Sequence, residues 1–264
     1  MRLKDKVAIV VGAGQTPGET IGNGRATCIV FGREGARQLL VDVDLESAEE
    51  TTTLVRAEVS DAECETFRAD VSKEADCAAM IEACVERFGR VDVLHYNVGK
   101  SQGDNEASAL PIENWDEIMD LNLRGFYLSC KHALPVMREQ EAGVITGISS
   151  AAAVSAGRNM TYTVSKAGMN ALMRSLAIDN GRYGIRVNTI MPGLMDTPMA
   201  IERRAREQAR PRAEIRAARA RQVPLKQQQG SAWDVANAAL FLASDEASYI
   251  SGVALPVDGG LTAR

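Results

Sequence analysis

The 264 residues predict an α/β fold: one Rossmann-type, doubly wound parallel sheet forming a single domain, residues 1–264. Three observations carry that expectation. Short β-branched runs alternate with longer helical patterns, as expected of βαβ units. The first such run ends in glycines that open a helix, and no internal repeat, linker or low-complexity segment interrupts the series.

The elements follow in order. Val7-Ala-Ile-Val-Val11 is the first strand, and a helix from Arg25 to about Glu34 comes next, stopped by Gly35. A second strand, Gln38 to Val41, ends at Asp42, and a helix of acids and small residues starts at Leu45. Thr66 to Ala69 and Val91 to Tyr96 read as the third and fourth strands. A long helical segment, Trp115 to Glu139, leads to the apolar strand Val144 to Ile148, which ends at Ser149 and Ser150. Pro135 should mark a kink or an end near the last turn of that helix, because proline removes a helix hydrogen bond. A helix from about Tyr162 to Tyr183 precedes the strand Ile185 to Ile190. After Pro192 the alternation breaks into an Arg-rich helical insert, Met199 to Leu225, followed by a helix near Trp233 to Ala243 and a last strand at Val253 to Val257.

Composition narrows the function classes. With 45% hydrophobic residues, 25% charged residues and a net charge of −5, the chain is globular in character and offers a nucleic acid no basic surface. No apolar run nears the ~18 residues that span a bilayer, so no membrane partner is expected. Met1 to Lys6 run straight into the first strand, leaving no room for a secretory signal. Cys28, Cys64, Cys77, Cys84 and Cys130 form no Cys-x-x-Cys pair and no metal-ligand spacing with His95 and His132. No metal is therefore expected, and the expected compartment is the reducing cytoplasm. His95 reads as a core residue and His132 as a packing or interface residue.

The chemistry-bearing residues gather at the ends of strands. Gly12, Gly14, Gly22, Asn23 and Gly24 make a glycine-rich turn into a helix N-terminus, where bare backbone and unpaired N–H groups suit a pyrophosphate. Asp42, ending the second strand, is placed to accept hydrogen bonds from an adenosine ribose and to repel a 2′-phosphate, which favours NAD while NADP stays possible. Asp44 lies close by, and Arg25 and Arg37 are candidate phosphate contacts. Tyr162 and Lys166 are four residues apart, on one face of a helix, where an ammonium lowers a phenol's pKa toward use as an acid and base. A serine at the end of the preceding strand is placed to hold a substrate oxygen beside the phenol.

With those motifs in hand, the sequence resembles the short-chain dehydrogenase/reductase family over essentially its whole length. The glycine turn, Asp70-Val71, Asn97-Val-Gly99, Asn122 in Asn-Leu-Arg-Gly125, Tyr162-x-x-x-Lys166, Pro192-Gly193 with Thr197, and Val257-Asp-Gly-Gly260 occur in the family's order. The resemblance implies a nicotinamide cofactor, with Asp70 and Val71 bordering the adenine and Asn97 and Gly99 the ribose side. It also implies Tyr162, Lys166, Pro192, Gly193, Leu194 and Thr197 around the nicotinamide and phosphates. Asn122 is implied as a fourth catalytic member, orienting a water that links Lys166 to solvent. Family members are commonly tetramers, so a homo-oligomer is expected.

The sequence departs from the family pattern in three places. Val11 replaces a threonine, and six extra residues stand before Gly22, so that Gln15 to Ile21 are expected to bulge over the cofactor with Thr16 or Thr20 near phosphate. Tyr96 stands where the family has an asparagine. Counting along the strand from Gly143 selects Ser150 as the catalytic serine, whereas the thirteen-residue spacing to Tyr162 selects Ser149; strand alignment favours Ser150.

The segment about 195–225 corresponds to the family's substrate cover. Between Met199 and Leu225 it holds eight arginines against three glutamates, either a solvated face or a binding site for an anionic substrate. Residues near Gly103, Ala153 to Arg158 and Met195 to Ile201 are expected to line the substrate pocket. The expected activity is NAD(P)-dependent interconversion of a small secondary alcohol and its ketone. An NADP-linked 3-oxoacyl thioester reductase and a non-catalytic cofactor-binding regulator are the alternatives.

Overall fold

The computed structural model describes residues 1–155 and 159–263. Ala156 to Arg158, expected at the pocket, lie outside the described residues. Seven strands form one parallel sheet: β1 (Val7–Val11), β2 (Arg37–Asp42), β3 (Cys64–Arg68), β4 (Val93–Tyr96), β5 (Gly143–Ile148), β6 (Ile185–Pro192) and β7 (Ala254–Val257). Their order, β3-β2-β1-β4-β5-β6-β7, grows outward from β1 in both directions. The chain therefore leaves β1 toward β2 and later returns on the other side as β4. This reversal opens a crevice at the carboxyl ends of β1 and β4, where such sheets bind ligands.

Alternate strand residues enter two different cores. Val7, Ile9 and Val11 of β1 pack into one, and Ala8 and Val10 into the other, because successive side chains of a strand point to opposite faces. The first core is closed by α3 (Glu74–Phe88), α5 (Gly125–Glu139) and α6 (Met160–Asn180), through residues such as Met80, Phe126 and Met173. The second is closed by α1 (Asn23–Arg33), α2 (Leu45–Glu58) and α9 (Ala232–Ala243). Large apolar side chains buried on both faces, each worth about 1.5–3 kcal/mol, explain why the strands read as nearly continuous hydrophobic runs.

Element boundaries differ from the expectation where local signals are weak. β3 starts at Cys64 and β4 at Val93, while α3 between them had no counterpart in the sequence reading. The long helix begins earlier, as α4 (Ile112–Met119), and passes into α5 through a wider π-helical turn at Asp120–Arg124. Pro135 neither ends nor interrupts α5, which runs on to Glu139. The Arg-rich insert is two helices, α7 (Pro198–Glu207) and α8 (Arg212–Ala220), divided at Pro211.

Helix α1 crosses β1 at very close range. A Cβ on Gly24 would lie 1.9 Å from the Gly12 carbonyl oxygen and 2.7 Å from Asn97 Nδ2, so only glycine fits. Gly24→Ala is expected to destabilise the protein by about 1–3 kcal/mol through forced overpacking, checked by the midpoint of a denaturant melt.

Candidate functional site

A cavity of about 780 Å³ runs along the carboxyl ends of the strands. The glycine turn and the residues that the family resemblance assigns to the cofactor all line it, from Gly12, Gly14 and Asp42 at one end to Tyr162, Lys166 and Thr197 at the other. Gly22, the residue before α1, makes no side-chain cap to that helix, and Gly22, Asn23 and Gly24 all face the cavity. Unpaired N–H groups and bare glycine backbone thus meet in one wall, which fits a dinucleotide's pyrophosphate.

Asp42 closes the far end. Its carboxylate accepts the Gly14 N–H at 2.8 Å and the Asp44 N–H at 3.1 Å. Asp44 caps α2 by accepting from Ser47 N. The two candidate phosphate arginines do not line the cavity. Arg25 is buried and bound to Thr51 Oγ1 (2.9 Å), the Ser47 carbonyl (3.0 Å) and Glu50 (2.9 Å). Arg37 stands at the opposite end of β2 from Asp42, with its guanidinium 5.9 Å from the Phe88 ring centroid. Asn97 donates Nδ2 to the Gly12 carbonyl at 3.0 Å, so this side chain fixes the glycine turn.

At the other end the four candidate catalytic residues come together from three places in the chain: Asn122 from the π-helical turn, Ser150 from the end of β5, and Tyr162 and Lys166 from α6. Lys166 is 1% exposed and donates to the carbonyls of Ile148 (2.7 Å) and Val98 (3.3 Å). Burial pulls its pKa down to about 7. Its ammonium is 5.9 Å from the centroid of the Tyr162 ring. Burial holds the Tyr162 phenol above its ordinary range, opposed by a hydrogen bond with Ser150 and by the charges of Arg203 and Arg204. The sequence reading anticipated a phenol lowered by Lys166; in the fold, desolvation outweighs the charges around it.

The two serines divide their work. Ser149 is 2% exposed and spends its hydroxyl on the Lys166 carbonyl at 3.1 Å, whereas Ser150 meets the Tyr162 phenol. Asn122 is fully buried in the π-helical turn. Its Oδ1 accepts Lys100 N at 2.7 Å, while its Nδ2 donates to the Lys100 carbonyl (2.9 Å) and Ser165 Oγ (3.0 Å). The departure at Tyr96 belongs to the same turn: its hydroxyl donates to the Leu121 carbonyl at 2.5 Å. Gly125 makes the room for that contact, since a Cβ there would lie 2.4 Å from the hydroxyl.

Of the expected substrate-facing residues, Ser155, Met195 and Met199 line the cavity, while Gly103 does not; Ser101 stands there instead. Thr16 lines it and Thr20 does not. The Gln15 to Ile21 segment is tied to the Arg-rich insert, with Glu19 meeting Arg216 at 2.9 Å and Arg212 at 3.7 Å on α8. Arg212 also binds Glu202 of α7 at 2.7 Å. His95 is buried against Thr146 Oγ1 (2.8 Å), its pKa lowered to about 4 by desolvation. His132 lies 3.5 Å from Glu74. The five cysteines are buried and free, and among the described residues no His, Cys, Asp and Glu side chains gather in a metal-binding group. No helix there is long and apolar enough to cross a membrane.

Comparison with known proteins shows the family. A family model described as enoyl-(acyl carrier protein) reductase matches residues 19–262. The chain is 36% identical to a levodione reductase of Leifsonia aquatica, covering 99% of this chain and 96% of that protein. The crystal structure of levodione reductase matches at a TM-score of 0.93, with 34% identity and 99% of each chain covered. A 2-(R)-hydroxypropyl-CoM dehydrogenase of Xanthobacter autotrophicus is 39% identical, over 98% of this chain and 99% of that protein. A 7α-hydroxysteroid dehydrogenase solved with NADH and 7-oxo glycochenodeoxycholic acid matches at a TM-score of 0.86, with 30% identity and coverage of 98% and 95%. The chain belongs to the short-chain dehydrogenase/reductase family. It is an NAD(P)-dependent oxidoreductase on a Rossmann-like fold.

One residue of this site escaped the sequence reading. Asp104 accepts the N–H groups of Thr161 (3.2 Å) and Tyr162 (2.9 Å), capping the first turn of α6 from a distant loop. No local pattern announces it, because the cap comes from 58 residues away. Asp104→Ala is expected to lower stability by about 1 kcal/mol, the usual worth of such a cap, measured as a shift of the urea midpoint.

Proposed function

We propose that the protein interconverts a small secondary alcohol and its ketone with NAD preferred over NADP, and that Asn122, Ser150, Tyr162 and Lys166 manage the proton and the substrate oxygen. The observation that carries this reading is the meeting of the Tyr162 phenol, the Ser150 hydroxyl and the buried Lys166 ammonium at one end of a dinucleotide-sized cavity. A bound nicotinamide supplies the hydride donor or acceptor.

The chain's own residues do the rest. In the direction of reduction, Tyr162 gives its phenolic proton to the carbonyl oxygen; in oxidation its phenolate takes the proton of the alcohol. The Ser150 hydroxyl donates to that oxygen as negative charge grows on it. Lys166, buried behind the phenol and titrating near neutrality, favours the phenolate by its charge and passes a proton onward. Asn122 pins the backbone at Lys100 beside the ammonium, the place where the family resemblance implies a water leading to solvent. Ser149 would hold the backbone of α6 and not the substrate.

The NAD preference rests on Asp42, whose carboxylate stands in the cavity wall with no arginine of the cavity lining beside it on β2 or β3. Arg68, in register with Asp42, is turned to the Val43 carbonyl at 3.2 Å. This argues against an NADP-linked 3-oxoacyl reductase, and the four gathered polar groups argue against a non-catalytic regulator. We read the protein as cytoplasmic, in keeping with its free cysteines. We also read it as a homo-oligomer, a tetramer by family resemblance: Tyr127 on α5 and Val164 and Ile178 on α6 leave apolar surface exposed in the single chain.

Titration of the purified protein with NADH and NADPH by fluorescence, then with a panel of ketones, tests the reading; turnover of none of them would overturn it. Tyr162→Phe should cut turnover by about 10²-fold or more while NADH still binds. In the wild type, kcat/KM for alcohol oxidation should rise with pH as the phenol ionises, and that for ketone reduction should fall on the alkaline side. Asp42→Ala should narrow the NAD-over-NADP preference about tenfold, a loss of roughly 1.4 kcal/mol of discrimination, read from the two dissociation constants.

A further inference from the structure

The arginines between Met199 and Leu225 are not equivalent. Arg212 and Arg216 are matched by Glu202, Asp196 and Glu19, and Arg210 by Glu214 at 3.4 Å. Arg206 and Arg221 are exposed. Arg203, Arg204 and Arg219 instead line the cavity. Arg219 is 8% exposed and binds neutral acceptors, Gln229 Oε1 at 2.7 Å and the Met195 carbonyl at 3.1 Å. Arg204 donates to the Ala200 carbonyl at 2.9 Å and, among the described residues, has no carboxylate within ion-pair distance. Arg203 binds Ser101 Oγ at 2.7 Å, and Glu207 stands 3.7 Å from its Nε, which has no hydrogen-bond partner among the described residues.

Three largely buried guanidiniums face one space with a single acid among them, Glu207 at 3.7 Å from Arg203, a costly arrangement unless an anion enters. The acids that line the cavity, Asp42, Asp44 and Asp70, all sit at its other end, beyond β2 and β3. Repulsion from Arg204 and Arg203 helps push Arg219 down to about 10, after burial itself. Arg203 and Arg204 also act on the Tyr162 phenol, so their charge reaches the reacting end of the cavity.

We propose that Arg203 and Arg204, backed by Arg219, form an anion subsite, and that the substrate is a ketone or secondary alcohol carrying a carboxylate or similar oxyanion away from its reacting carbon. This rests on the oxidoreductase reading of the same cavity and deepens it. A guanidinium suits the task because its planar donors grip both oxygens of a carboxylate at once. The anion meant is the substrate's own: the cofactor pyrophosphate belongs at the α1 N-terminus, whereas Arg203 and Arg204 stand on α7 within reach of Tyr162.

The test compares 4-oxopentanoate, 5-oxohexanoate and 4-oxocyclohexanecarboxylate, each with its methyl ester, as ketones reduced with NADH. Calorimetric titration of the NADH-saturated protein with cyclohexanecarboxylate and its methyl ester reads the subsite without turnover. At least one keto acid should exceed its ester in kcat/KM by about tenfold or more, and the carboxylate should bind more tightly than its ester by a similar factor. Arg204→Gln and Arg203→Gln should erode that preference, while Arg206→Gln, on the exposed side of the same helix, should retain it. Equal or better use of every ester, or a loss of NADH affinity in Arg204→Gln as large as the loss for the acid, would overturn the subsite. Ketone reduction without acid preference would leave the oxidoreductase reading standing alone. Charge-dependent binding with no ketone reduced would do the reverse.

Discussion

Lys166 is the constraint on which the rest of the site depends. It is a buried ammonium held by main-chain carbonyls at the ends of two neighbouring strands, Ile148 of β5 and Val98 just beyond β4. A charge taken from water needs those acceptors, so the lysine can sit in only one place relative to the sheet. That place fixes the start of α6 against the strand ends, and α6 in turn carries Tyr162 one turn away. Ser149 reinforces the same joint by binding the Lys166 carbonyl. The low pKa of the ammonium is the physical consequence of this burial, and it is also what makes the group useful for proton transfer near neutrality.

A second order is imposed by charge along the cavity. Its acids lie at the β2 and β3 end, beside the glycine turn, and its arginines at the α7 and α8 end. A long cleft with such a gradient orients a dipolar or multiply charged guest before any close contact forms. The Gln15 to Ile21 segment joins the two ends mechanically: Gln15 Oε1 accepts the Gly22 N–H at 2.8 Å beside the glycine turn, and Glu19 holds Arg216 on α8. The Gln15 to Ile21 segment is thus a strut between the glycine turn and α8. Its ion pairs are partly exposed and individually weak.

Other parts of the molecule put chemistry-bearing residue types to structural use. Asn97 steadies the Gly12 carbonyl, Tyr96 satisfies a carbonyl in the π-helical turn, and Arg25 welds α1 to α2. In each case a polar side chain is consumed by backbone that would otherwise lack a partner or by a neighbouring helix. The site is therefore supported by a second layer of hydrogen bonds, and the Asp104 cap on the first turn of α6 belongs to that layer.

The sequence by itself determined the order of the seven strands and of the helices with strong local signals, though not α3, because β-branched runs, glycine turns and helical spacing are local signals. It also determined the one-face pairing of Tyr162 with Lys166, since four residues make about one helical turn, and the concentration of arginine after Pro192. The tertiary structure decided what those residues do. Asp104 reaches α6 from a loop, Arg25 turns inward to Glu50 instead of outward to a phosphate, and Ser150 differs from Ser149 only by which way each faces at the end of β5. The same holds for the arginines, of which three face the cavity and the others meet acids or solvent. The reason is physical: strand and helix signals are short-range, whereas a side chain's partner and pKa are set by which distant groups and how much water the fold leaves beside it.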